Sequence, residues 1–230
     1  MDYVIIVAGG KGLRMGAETP KQFLPLAGKP VLMRTIERFH DYSDSLGIIV
    51  VLPPAQQDYW KELCARYDFR VPHRVANGGD TRFASSRNGL ALVPDDEEGI
   101  VAFHDGVRPL VPVSVIEDCY ETARDSFAAI PVVAVNDSLR RLEGEGRSHA
   151  VYRADYRAVQ TPQAFDISLA KQAFRQPYRD AFTDDATVVE HLGCQVALVE
   201  GSKENIKITT PIDMLVAEAY LRQQPMSGRA

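Results

Sequence analysis

Cysteine is scarce in this chain of 230 residues: Cys64, Cys119 and Cys194 are odd in number, far apart and in no C-x-x-C pair. That pattern excludes a disulfide framework and a cysteine-held zinc site, and free thiols are expected. Histidine is thin too, with five residues and no H-E-x-x-H spacing, so the familiar helical zinc pair is missing. His104 adjoins Asp105, and a satisfied histidine at a strand end is the reading preferred over a general base. No apolar run approaches the roughly 20 residues that span a bilayer, and "MDYVIIVAGG" lacks the basic opening of a secretory leader; a cytoplasmic protein without membrane partners is expected. Basic residues are in deficit, 26 against 31 acidic, for a formal net charge of −5. A nucleic-acid-coating surface is thereby excluded. Repeats, low-complexity tracts and flexible linkers are lacking, so one domain spanning 1–230 is expected.

What is present is an alternation. "DYVIIV" reads as a buried strand, Pro30 opens a helix with Val31, Leu32, Thr35, Ile36 and Phe39 at helical spacing, and "GIIVVLPP" and "AQQDYWKELCARY" repeat the pair. "HRVA" leads into a glycine loop, "NGGDTR", and a helix through Leu92; "IVAFHDGVRP" is the next strand. Ser114 with Glu117 predicts a capping box, followed by the strand "AAIPVVAV". The rhythm then breaks at residues 136–160, where polar β-compatible runs flank "EGEG" as in a projecting hairpin arm. Such a hairpin is marginal alone, and a second copy of the chain is the economical partner. Beyond it lie a helix near "ISLAKQAF", "TDDATVVEHLG" with Thr183 as the expected N-cap and Gly193 past its end, the strand "QVALVEG", the segment "NIKIT", and a last helix opened by Thr210 and Pro211. Strands alternating with helices predict an α/β fold, a mostly parallel sheet flanked by helices with ligands at the carboxyl ends of the strands.

Both glycine loops and "HDGVRP" fall at such ends. The first, "VAGGKGLRMGAETPKQF", follows a strand and combines close-approach glycines with Lys11, Arg14 and Lys21, which points to phosphate. It is not a P-loop, because no Gly-Lys-Ser/Thr closes the pattern. Nor is it a dinucleotide fingerprint, since Met15 occupies the third glycine's place. Arg14 and Lys21 suit phosphoryl or nucleotidyl transfer, where charge grows on the oxygens around phosphorus. Asp105, near Arg108, can offer a hard oxygen to Mg²⁺ or hold a hydroxyl.

Ala8-Gly9-Gly10-Lys11-Gly12-Leu13-Arg14-Met15 with Pro20-Lys21-Gln22, Gly78-Gly79-Asp80, His104-Asp105-Gly106-Val107-Arg108-Pro109, Gln160-Thr161-Pro162-Gln163, Thr183-Asp184-Asp185 and Asn205-Ile206-Lys207-Ile208-Thr209 resemble, in order and nearly end to end, the 2-C-methyl-D-erythritol 4-phosphate cytidylyltransferases. The glycine-rich opening alone marks only the wider sugar nucleotidyltransferases; the later blocks narrow it. The resemblance implies a Rossmann-like nucleotidyltransferase fold, a homodimer joined by the β-arm, and transfer of CMP from CTP to methylerythritol phosphate in non-mevalonate isoprenoid synthesis. By the same resemblance Ala8, Gly9, Gly10, Lys11 and Gly12 line the nucleotide site, while Gly79, Asp80 and Ser85 bound the cytosine and ribose. Arg14 and Lys21 grip the triphosphate and Lys207 approaches the α-phosphate. Asp105, Arg108 and Thr161 hold the alcohol phosphate, with Ser138 and Arg153 reaching in from a partner's arm. Mg²⁺ is implied as cofactor, bound mainly through the CTP phosphates. Ser138 stands where the family often has threonine, and Gly106 where alanine or serine is frequent. The alternatives are a ribitol 5-phosphate cytidylyltransferase, a uridylyl- or thymidylyltransferase of sugar 1-phosphates, and a catalytically silent nucleotide-binding module on the same fold.

Overall fold

The computed structural model describes residues 1–9 and 19–223. In chain order they form β1 (Tyr3–Val7), the short ribbon β2 (Pro25–Leu26) and β3 (Lys29–Pro30), α1 (Val31–Tyr42), β4 (Gly47–Leu52), α2 (Pro54–Arg66), β5 (Arg74–Asn77), α3 (Arg82–Leu90), β6 (Ile100–Asp105), α4 (Val113–Ser126) and β7 (Ala128–Ala134). There follow β8 (Arg140–Gly144), β9 (Arg147–Ala150), β10 (Arg157–Val159), β11 (Gln163–Asp166), α5 (Ile167–Ala173), α6 (Asp185–Glu190), β12 (Ala197–Glu200) and α7 (Pro211–Gln223).

The apolar runs of β1, β4 and β6 pair in parallel, with β5 beyond β4, so their carboxyl ends share one edge of the sheet. Side chains alternate across it, as the period of two requires. Val4 and Ile6 pack with Leu32, Ile36, Trp60 and Tyr120 of α1, α2 and α4, whereas Tyr3 and Ile5 pack with Phe83, Ile167 and Val189 of α3, α5 and α6. Helices therefore cover both faces, and α7 closes a smaller cluster through Ala217, Leu26, Val107 and Ile208.

The mostly parallel sheet carries two antiparallel insertions, β10 from the end of the expected arm and β11 from just beyond it. β11 lies between β6 and β7, antiparallel to both, after a cis Thr161–Pro162 peptide. Ala164 and Phe165 are wholly buried there: a short apolar run fills the sheet centre whatever polar chain precedes it. β10 pairs antiparallel with β7, and β12 runs parallel along the opposite edge of β7. β8 and β9 form a separate two-stranded arm turning through Gly144, Glu145 and Gly146, all at positive φ (84°, 49° and 75°), where glycine carries no steric penalty.

Two expected caps are corrected. α6 is capped by Asp184, whose carboxylate accepts from Thr187 N at 2.9 Å while Thr187 Oγ1 accepts from Asp184 N at 3.3 Å. Thr183 could not close that reciprocal box, because the residue three positions on is Ala186, which has nothing to reach back with. α4 starts at Val113 after Pro112, whose carbonyl accepts from Ile116 N at 3.2 Å, so Ser114 lies inside the first turn without a capping role.

Candidate active site

The carboxyl ends of β1, β5 and β6 open on a cavity of about 350 Å³. Of the expected residues it brings together Ala8, Gly9, Lys21, Gly79, Asp80, Ser85, Asp105 and Lys207. Gly10, Lys11, Gly12 and Arg14 lie outside the described residues. Local chemistry shapes the rim. Gly79 N donates to Ser85 Oγ at 3.0 Å, and a Cβ on Gly79 would fall 2.5 Å from Ala84 Cβ, so only glycine lets this loop lie on the start of α3. Gly106 is similarly pressed: a Cβ there would meet Ala8 Cβ at 2.8 Å. Lys21 belongs to a 3-10 turn ending at Phe23, which is buried against Trp60 and Tyr59. Buried Gln22 donates to Ala8 O and to Gln56 Oε1, both at 2.8 Å. The turn is thus tied to the end of β1.

Asp105 is the hub of the site. Only 4% exposed, it accepts from Arg82 Nη1 on Oδ1 at 2.7 Å, and on Oδ2 from Arg108 Nε at 3.1 Å and Lys207 Nζ at 3.0 Å. Burial alone would raise its pKa, but Arg82, Lys207 and Arg108 outweigh it and hold the carboxyl well below the usual range. Arg108 is itself 9% exposed, donating through Nη1 to Asn205 O at 2.7 Å; the pair with Asp105 is internal rather than a surface contact. Lys207 arrives on an extended segment pinned by Ile208 N to Val107 O at 2.9 Å and Asn205 Nδ2 to Thr161 O at 2.9 Å.

His104 is fully buried, and desolvation pushes its pKa down to about 3. Its Nε2 lies 3.1 Å from Arg108 O, a pure acceptor, so the proton sits on Nε2 and Nδ1 accepts from Thr161 Oγ1 at 3.0 Å. Thr161 Oγ1 in turn accepts from Asp105 N at 3.1 Å. The satisfied strand-end histidine is what the structure holds. Within its own chain, Thr161 fixes the end of β6. Ser138 and Arg153 are exposed at the arm; the Arg153 guanidinium donates to Asn136 O, and neither residue lines this cavity.

Arg82 escaped the sequence reading. It lines the cavity and joins Asp105 to buried Asp185, donating to Asp185 Oδ2 from Nη2 at 2.6 Å and Nε at 3.0 Å. Burial opposes its charge, yet Asp185 and Asp105 more than compensate and raise its pKa. A cation two positions after Asp80 in a strand-end glycine loop was the available signal. Among the described residues no three His, Cys, Asp or Glu side chains group to hold a metal, and both Asp105 oxygens are engaged by cations.

Residues 3–223 match the model of the family described as IspD, 2-C-methyl-D-erythritol 4-phosphate cytidylyltransferase. The 2-C-methyl-D-erythritol 4-phosphate cytidylyltransferase of Phocaeicola vulgatus is 56% identical over 219 residues, covering 95% of this chain and 99% of its own. Among solved structures, the 4-diphosphocytidyl-2C-methyl-D-erythritol synthase of Anaerococcus prevotii is similar at TM-score 0.81, with 28% identity and 96% of each chain covered. The 2-C-methyl-D-erythritol 4-phosphate cytidylyltransferase of Thermus thermophilus is similar at TM-score 0.76, with 33% identity over 96% of this chain and 100% of its own. Sequence, shape and the convergence of Lys21, Asp105 and Lys207 on one cavity agree: the chain belongs to the 2-C-methyl-D-erythritol 4-phosphate cytidylyltransferase family.

Proposed function

We propose that the chain transfers CMP from CTP to 2-C-methyl-D-erythritol 4-phosphate, releasing pyrophosphate and 4-diphosphocytidyl-2-C-methyl-D-erythritol, in the cytoplasm where CTP resides. The observation that carries this reading is the gathering of Lys21, Arg82, Asp105 and Lys207 with the backbone of Ala8, Gly9 and Gly79 around one cavity. A phosphate monoester, with a second pKa near about 6, is mostly a dianion at neutral pH. One of its oxygens bonds to the α-phosphorus as the bond to the bridging oxygen of pyrophosphate breaks, so no proton has to be removed. The site matches this: His104 is buried and internally bonded, and Asp105 is ion-paired. Lys21 and Arg14 are assigned to the triphosphate and Lys207 to the α-phosphate. Asp105, Arg108 and Thr161 are assigned to the acceptor side. Mg²⁺ accompanying CTP would draw its ligands chiefly from phosphate oxygens and would supply charge neutralisation there.

Incubation with CTP, Mg²⁺ and either methylerythritol phosphate or ribitol 5-phosphate, scored by pyrophosphate release, tests the reading. Turnover confined to ribitol 5-phosphate would replace the acceptor, and none with either would reject the reaction. Lys21→Ala is expected to lower kcat on the order of a hundredfold with the fold intact, because a positive charge beside the reacting phosphates is lost. Near-normal turnover would remove Lys21 from the machinery.

The arm supports a homodimer with shared sites. It exposes Leu142 at 81% and Tyr152 at 74%, more apolar surface than an isolated hairpin sustains. If the partner's Arg153 completes each site, mixing Arg153→Ala and Lys21→Ala chains restores activity. Random exchange makes about half the dimers hybrids, each with one intact site, so roughly a quarter of wild-type activity returns for a twofold dimer. Demonstrated exchange without recovery would confine Arg153 to its own chain.

A further inference from the structure

We infer that Arg82, held by Asp185, is a positioning residue that fixes the acceptor half of the cavity in register with the nucleotide half; the inference rests on the proposed transfer reaction. Arg82 opens α3 directly after the glycine loop, with Thr81 Oγ1 accepting from Ala84 N at 3.0 Å and Gly79 N on Ser85 Oγ at 3.0 Å. Its backbone is therefore part of the loop assigned to cytosine and ribose. Its side chain crosses the cavity to the end of β6, where Nη1 holds Asp105 Oδ1 at 2.7 Å. The remaining face of the guanidinium grips Asp185 Oδ2 through Nε and Nη2. Asp185 is 1% exposed and is fixed in turn: Ser86 Oγ donates to its Oδ1 at 2.6 Å. Gln163 of β11 accepts from Ala186 N at 2.8 Å and donates to Asp184 Oδ2 at 2.9 Å, which seats the start of α6 on the sheet.

A planar fork with carboxylates on two edges has one orientation, which a lysine's point charge could not impose. A buried ion pair serving stability alone is commonly replaceable by neutral groups at little cost. Here, however, the guanidinium also faces the cavity, 26% exposed along its side chain, between the loop and Asp105. Asp105 is the group on which Lys207 rests. A shift of Arg82 therefore moves the acceptor's anchor and the α-phosphate's cation together, relative to the bound nucleotide.

The test is the double variant Arg82→Gln with Asp185→Asn, which removes the buried charge from both partners at once and spares the fold an unpaired carboxylate. With wild type turning over CTP and methylerythritol phosphate, kcat of the double variant is expected to fall on the order of a hundredfold, the effect of an ångström-scale misplacement, while KM for CTP is unchanged. Arg82→Lys is expected not to restore the rate. Wild-type kcat in a folded double variant would overturn the inference alone; an inactive wild type would overturn the reaction and the inference with it. If the double variant does not fold, Ser86→Ala decides, since it loosens Asp185 without touching the cavity lining: a several-fold lower kcat at constant KM for CTP supports positioning, and an unaltered kcat overturns it.

Discussion

Asp105→Asn is expected to lower turnover on the order of a hundredfold or more and to lower the thermal midpoint by roughly 10 °C. The substitution keeps the shape of the side chain and removes its charge, leaving Arg82, Arg108 and Lys207 facing one another. Lys207 is half-exposed and can turn to water, and Arg82 retains Asp185, but Arg108 is buried against the lost charge. Breaking a buried pair costs about 3–5 kcal/mol, and a chain of this size loses about 2–4 °C per kcal/mol. Catalysis suffers separately, because Lys207 loses the anchor that keeps it at the cavity. The carboxyl's folded pKa is depressed, so its contribution is complete above the unfolded value near about 4 and disappears as pH falls further. Calorimetry and steady-state kinetics at neutral pH check both numbers, and a variant with the wild-type midpoint and rate would refute the hub.

The second large effect is acid sensitivity through His104. In the unfolded chain this imidazole titrates near 6.5, whereas burial holds it to about 3 in the fold. Below 6.5 the unfolded state takes up a proton that the folded state refuses. The stabilisation is therefore complete above pH 6.5 and is lost progressively toward pH 3. At about 1.4 kcal/mol per unit, roughly 2 kcal/mol is gone by pH 5 and on the order of 5 by pH 3. That total compares with the whole stability of a typical domain, about 5–15 kcal/mol. His104→Gln, which cannot titrate, is expected to be less stable at neutral pH but to show a flatter decline between pH 6.5 and 4. Urea unfolding at pH 7 and pH 5 measures the slope, and equal slopes in both proteins would exclude His104 as its source.

The strand rhythm, the second glycine loop and the positions of Lys21 and Asp105 at the sheet's carboxyl edge were legible in the sequence, because each rests on a local signal: an apolar β-branched run, a glycine at a turn, a charge at or soon after a strand's end. Lys207 was placed only by the family resemblance, and most of the first glycine loop lies outside the described residues. Caps were legible only approximately. Asp184 displaced Thr183 because the pairing with Thr187 depends on the helix's first turn as formed. β11 was hidden by its polar surroundings, and only its insertion between β6 and β7 made it central.

By itself the sequence determined the α/β alternation and the family, since these depend on residue type and spacing along the chain. The tertiary structure alone decided which charges share a carboxylate. Arg82 and Asp185 are 103 positions apart, Lys207 reaches Asp105 from the far end of the chain, and His104 is neutral because the fold buries it wholly. Such pairings have no period or motif, because burial and distance, which set the strength of every interaction among these groups, exist only once the sheet has brought its strand ends together.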